Sequence, residues 1–120
     1  MRRPGLALLV GALVGCAPST ASKTEAARET VRRFFTELPS GDCAVLGPML
    51  AGEGGSSCEE KVADLSAHGF SLVEVLDAKV DGRDADAVMV RARVARDGRV
   101  REQPMLLRVE RHPEGWKLRL

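Results

Sequence analysis

From residue 88 onward the apolar side chains recur at every second position. Val88, Val90, Ala92 and Val94 share one parity, with Arg91 and Arg93 on the other. Met105, Leu107 and Val109 alternate with Arg108 and Glu110, and Trp116, Leu118 and Leu120 alternate with Lys117 and Arg119. A period of two is the signature of a strand that buries one face. Asp97-Gly98 is a tight hairpin signal, and His112-Pro113-Glu114-Gly115 turns the chain again. Pro104 has no N–H to give to a ladder, so it implies a bulge or an edge at the start of its strand. Residues 70–80 are rich in valine and leucine and read as a preceding strand whose buried face the pattern leaves undecided. Asp81-Gly82-Arg83-Asp84 is the turn between the two. The expected result is a four-stranded antiparallel meander with one apolar face.

That face needs a cover, and only the first half of the chain can supply it. Ala27, Val31, Phe34, Phe35 and Leu38 recur at helical spacing, and Arg28, Glu29, Arg32 and Arg33 coat the opposite side. Ser22-Lys23-Thr24-Glu25 reads as the capping box of that helix, and Pro39-Ser40-Gly41 as its stop. Residues 42–50 predict one or two further helical turns with Val45, Leu46, Met49 and Leu50 apolar. Residues 51–57 are a glycine-rich linker; they do not complete a dinucleotide-type glycine pattern, and no strand precedes them. Ser56 with Glu59, or Ser57 with Glu60, caps a third helix carrying Cys58, Val62 and Leu65 and stopping at Gly69. Helices first and hairpins second is the α+β order: N-terminal helices packed on a curved antiparallel sheet.

The first residues read as an address. Arg2 and Arg3 precede an apolar run over 6–14, too short to span a bilayer, and Leu13-Val14-Gly15-Cys16 follows. Charge, apolar run and terminal cysteine in that order resemble the signal peptide and lipobox of bacterial lipoproteins. The resemblance implies that residues 1–15 are removed and that a diacylglyceryl group is attached to Cys16. Residues 16–22 would then be the lipidated cysteine and a short tether, placing a domain over 23–120 close to the membrane on its extracytoplasmic side. Ala17, where an inner-membrane retention signal would place aspartate, favours the outer membrane in a Gram-negative organism. With Cys16 lipidated, two of the three cysteines remain, and Cys43 and Cys58 are expected to pair in an oxidising compartment. No metal site is expected, because those cysteines and the distant His68 and His112 lack ligand-pair spacing.

The element order, closing in Gly115-Trp116-Lys117-Leu118, resembles the nuclear-transport-factor-two-like, or cystatin-like, α+β cone. Within it the chain is most similar to small bacterial envelope lipoproteins. The carriers are the aromatic pair Phe34-Phe35, the segment Gly41-Asp42-Cys43-Ala44-Val45-Leu46, and Cys58-Glu59-Glu60. The resemblance implies a curved sheet wrapped around the long first helix, sometimes enclosing a pocket, and carries over no catalytic residue. Some members of the superfamily are isomerases, dehydratases or cyclases that use a buried aspartate or histidine, often with tyrosine.

Composition bears on that chemistry. The chain has no tyrosine, and its four aromatic residues are too few for a base-stacking platform. A formal net charge of +1 predicts no bulk attraction to nucleic acid. Every position predicted to face inward on the last three strands is apolar, so no general acid or base is placed there. Glu74 lies on the strand of undecided face, and Asp64 with His68 reads as a surface pair near a helix end. The expected role is therefore non-catalytic and needs no cofactor: a membrane-tethered binding or assembly accessory, with a small-molecule-binding or enzymatic cone as the alternative. Phe34, Phe35, Met105 and Trp116 either fill the small core or line an apolar pocket. Arg91, Arg93, Arg108, Lys117 and Arg119 fall on the predicted outer face, as a surface for an anionic envelope polymer, lipid or partner protein. Charge is split accordingly: residues 17–90 carry seven basic and thirteen acidic side chains, and residues 91–120 nine and four.

Overall fold

The computed structural model describes residues 18–52 and 57–120. The expected signal peptide, Cys16 and the middle of the glycine-rich linker lie outside them. The first helix, α1, spans Thr20–Glu37. It starts one turn earlier than the Ser22 capping box implies, because the Ser19 hydroxyl accepts the Ser22 N–H at 3.1 Å and so takes the cap position. The last three residues read as tether are thus its first turn. Its apolar stripe is the expected one, with Ala27, Val31 and Phe34 fully buried. A 3₁₀ turn over Leu38–Ser40 ends it, and Gly41 adopts φ +66° to redirect the chain.

Asp42 then accepts the Ala44 N–H at 2.9 Å and caps α2, Cys43–Leu46. After a second 3₁₀ turn, Leu50 forms a parallel bridge to Leu118, and the Ala51 N–H donates to the Leu118 carbonyl at 2.8 Å. Helix α3, Cys58–Ala67, opens with the Ser57–Glu60 capping box, both reciprocal bonds being made. It closes at Gly69, φ +59°, with the Phe70 N–H donating to the Leu65 carbonyl and the Gly69 N–H to that of Ser66. That pair of bonds is the glycine-terminated Schellman ending. A disulfide joins Cys43 to Cys58, the first residues of α2 and α3.

The sheet comprises β1 (Ser71–Asp81), β2 (Asp84–Arg96), β3 (Arg99–Val100), β4 (Met105–His112) and β5 (Gly115–Arg119). All pairs are antiparallel, in the order β1-β2-β4-β5, with β3 pairing the end of β2. This is the expected meander with one addition. The strand after the Asp97-Gly98 turn is broken: Val100 faces Ala95 and Met105 faces Ala92, so two residues more lie on one side of the ladder than on the other. Pro104 sits in that break, as a residue without an N–H should.

Val88, Val90, Ala92, Val94, Leu107, Val109 and Leu118 form the buried face of the sheet, and α1 lies against all four long strands. From β1 the residues packed on this core are Leu72, Val75, Ala78 and Val80. Their uneven spacing has a cause. Register shifts between Leu72 and Glu74, between Val75 and Asp77, and between Val80 and Asp81 reset the parity along the strand.

Candidate functional site

Phe34 and Phe35 belong to the core rather than to a pocket. Their rings meet edge to face at 5.6 Å between centroids, Phe34 being fully buried and Phe35 nearly so. Trp116 is half-buried and packs against the same core from β5. Met105 differs, because it borders two adjoining clefts.

The first cleft, about 220 Å³, is walled by Phe70, Val94, Pro104 and Met105, with Arg101 and Gln103 as its polar lining. It exists because the ladder between β2 and β4 is interrupted at 101–104, where the end of β2 loses a full neighbour. The second, about 380 Å³, lies between α3, through Lys61, Asp64 and Leu65, and the β4–β5 pair, through Met105, Leu107, Arg119 and Leu120. Exposed Leu106 and Leu120 extend its apolar surface. Both clefts are open to solvent, and each combines an apolar floor with a few polar groups at its lip. Such a surface can hold an apolar body and orient it. Among the described residues no polar or charged side chain is fully buried, and no cluster of three or more metal-ligating side chains occurs.

The outer face carries the five cations that the sequence places there, but not as free charges. Arg91 donates to Asp77 through Nε at 2.9 Å and Nη2 at 2.6 Å. Arg93 lies 3.6 Å from Glu74, which fixes Glu74 on the outer face and away from the core. Arg108 donates to Asp81 at 2.8 Å, Asp84 at 2.9 Å and Glu110 at 2.9 Å. Arg119 binds Glu110 with two nitrogens at 2.8 and 2.9 Å. Lys117 donates to the Pro48 carbonyl at 3.1 Å and lies 3.6 Å from Glu114. The expected basic face is thus corrected to a lattice of ion pairs, because carboxylates from β1 and β4 share the same side of the sheet.

Proton affinities follow the pairing. The hydrogen bond from Arg91 holds the Asp77 carboxyl below its ordinary range. The Arg83 N–H, then Arg108, do the same for Asp81. Glu110 is lowered to about 2, first by Arg119 and further by Arg108 and His112, against the desolvation that raises it. Hydrogen bonds donated to these carboxylates push Arg91 and Arg108 above their ordinary range.

Asp64 and His68 form a loose, exposed pair at 3.9 Å, as a surface contact near a helix end. The other ring nitrogen of His68, Nδ1, lies 3.1 Å from Arg96 Nη2, and the Arg96 guanidinium stands 5.8 Å over the Phe70 ring. Sequence reasoning missed Phe70, Arg101 and Gln103 as cleft residues; the signal was Pro104, whose interruption opens the space they line.

No family model matches the chain, and no curated protein matches it. Among solved structures it is similar to the crystal structure of a protein described as a "putative polyketide cyclase" from Sinorhizobium meliloti. The two share 22% identity over 76% of this chain and 92% of that one, with a TM-score of 0.46.

Proposed function

We propose that this chain is an envelope-anchored bacterial lipoprotein whose cone-like domain binds a small, largely apolar molecule without chemically changing it. The observation that carries the reading is the opening at Met105, where the Pro104 break leaves apolar inner-face residues bordering solvent. The anchoring rests on the order of Arg2-Arg3, the apolar run and Leu13-Val14-Gly15-Cys16. The non-catalytic character is supported by the first cleft, whose lining holds no carboxyl or imidazole, and by the exposure of Asp64, the carboxyl that lines the second. The outer face is less suited to an anionic partner, since carboxylates already occupy its arginines.

The test uses the full chain in lipid nanodiscs with methyl-labelled methionine. Titration with naphthalene, a neutral apolar probe, is expected to move the Met105 methyl signal saturably. The methyl of buried Met49, which lines neither cleft, serves as internal reference. A Met105 signal that stays fixed, or that drifts without saturating, overturns the binding reading.

A further inference from the structure

Arg101 stands apart from the arginines of the outer face. Arg91, Arg93, Arg108 and Arg119 each meet a carboxylate within 4 Å, whereas the Arg101 guanidinium has no ion pair among the described residues. Its backbone is nonetheless held on both sides: the Arg101 N–H donates to the Val94 carbonyl at 2.9 Å, and its own carbonyl accepts Arg93 Nη1 at 3.5 Å. The residue therefore has a fixed backbone and, among the described residues, a guanidinium without an ion pair, and it lines the first cleft beside Gln103. A second guanidinium, that of Arg96, stands over Phe70, a wall of the same cleft, and lies 3.1 Å from His68 Nδ1, with no carboxylate paired to it among the described residues.

An apolar cleft bordered by an arginine and a glutamine has a definite complement. The floor accepts an aromatic or short alkyl body. The guanidinium is a planar fork of N–H donors that matches a carboxylate, and the amide N–H₂ offers a further donor to the same oxygens. We infer that the cleft at Arg101 selects a small aryl or alkyl carboxylate, with Arg101 and Gln103 at its head group and Phe70 and Met105 against its apolar body. This rests on the binding reading above and adds the charge of the ligand to it.

The experiment compares two probes of equal shape, 1-naphthoate and 1-naphthamide, on the full chain in zwitterionic nanodiscs, read by the Met105 methyl signal. The carboxylate is expected to bind about tenfold more tightly, the factor that roughly 1.4 kcal/mol of charge-assisted hydrogen bonding supplies. Arg101→Gln is expected to abolish that preference while leaving the amide affinity unchanged. Arg99→Gln, two residues away and outside the cleft lining, is expected to preserve it. Equal binding of the two probes to the unsubstituted chain overturns the carboxylate inference and leaves the apolar cleft standing. Equal weakening of both probes by Arg101→Gln also overturns it, by making Arg101 a support for the cleft wall. Absence of binding by either probe overturns the binding reading itself.

Discussion

Glu110 and Arg119 are joined by two hydrogen bonds, at 2.8 Å to Nε and 2.9 Å to Nη2, across the β4–β5 pair. The register makes this pairing more than an ornament of the surface. Arg108 and Arg119 are direct cross-strand partners, a like-charge juxtaposition that by itself opposes pairing. Glu110, two residues along β4 from Arg108, accepts from both and turns the repulsion into a bridged triplet. His112 adds a fourth member, its Nε2 lying 3.2 Å from Glu110 Oε1.

Replacing Glu110 by glutamine should therefore destabilise the domain. The amide keeps the shape but removes the charge, leaving the Arg108–Arg119 contact unrelieved. Arg108 retains Asp81 and Asp84, so the loss falls mainly on the β4–β5 end of the cluster. An expected cost of about 2 kcal/mol is that of losing hydrogen bonds to a charged group at a mostly covered site. Urea denaturation at neutral pH measures it; an unchanged midpoint would show that Glu110 contributes nothing to stability.

The same carboxylate gives the acid limb of stability its sign. Glu110 is lowered from an ordinary 4.5 to about 2 by Arg119, Arg108 and His112. Between those values the unfolded chain binds the proton and the folded chain does not, so folding weakens as pH falls. The contribution is fully present above about pH 5, once the unfolded carboxyl has ionised, and is lost by about pH 2. Asp77 and Asp81 shift in the same direction and steepen the decline. Thermal melts from pH 7 to pH 2.5 should show the midpoint falling below pH 5, and Glu110→Gln should flatten that fall.

Cys43–Cys58 closes a loop with a sequence separation of 15 that carries α2, Leu46, Met49 and Leu50. Those side chains cover one end of the core, and the Leu50–Leu118 bridge hangs on their placement. Substitution of both cysteines by serine should cost about 3 kcal/mol in the chain-entropy picture of a loop this long. Denaturation of the doubly substituted chain beside the oxidised one checks the figure. A midpoint that does not move would mean that packing alone fixes this segment.

How far the sequence could be read depends on whether a feature was local. The inner face of β2 followed from Val88, Val90, Ala92 and Val94, because alternation survives wherever the ladder is regular. β1 did not yield its face, because three register shifts break its parity. The ion pairs were hidden for the same reason. A plain two-residue hairpin at Gly82-Arg83 sets Asp77 opposite Val88; the irregularity at Val80 and Asp81 sets it opposite Arg91 instead. Cations could be assigned to a face by parity, but their partners needed the register. The second cleft was still further from view, since it needs α3 set beside the β4–β5 pair. The helix caps were legible as a short choice at α3, where Ser57 with Glu60 is the one made of the two pairs offered. They misled at Ser22, where Ser19 offered an equivalent hydroxyl one turn earlier.

The contact between the end of α3 and the β2–β3 turn offers a sharp local test. Gly69 sits at φ +59°, and a Cβ built there would lie 3.4 Å from the Asp97 backbone nitrogen and 3.5 Å from its Cα. That nitrogen donates to the His68 carbonyl at 2.9 Å, so the turn cannot recede without breaking the bond that docks it. Gly69→Ala combines a left-handed backbone with a crowded neighbour and should cost about 1 kcal/mol or more. Gly82→Ala is the matched control: its φ lies outside the left-handed region and nothing stands within 4 Å of a Cβ there. That variant should be neutral or slightly stabilising, through the reduced freedom of the unfolded chain. Paired urea titrations decide the matter. Equal midpoints for the two variants would mean that the α3 terminus and the Asp97 turn are not rigidly docked.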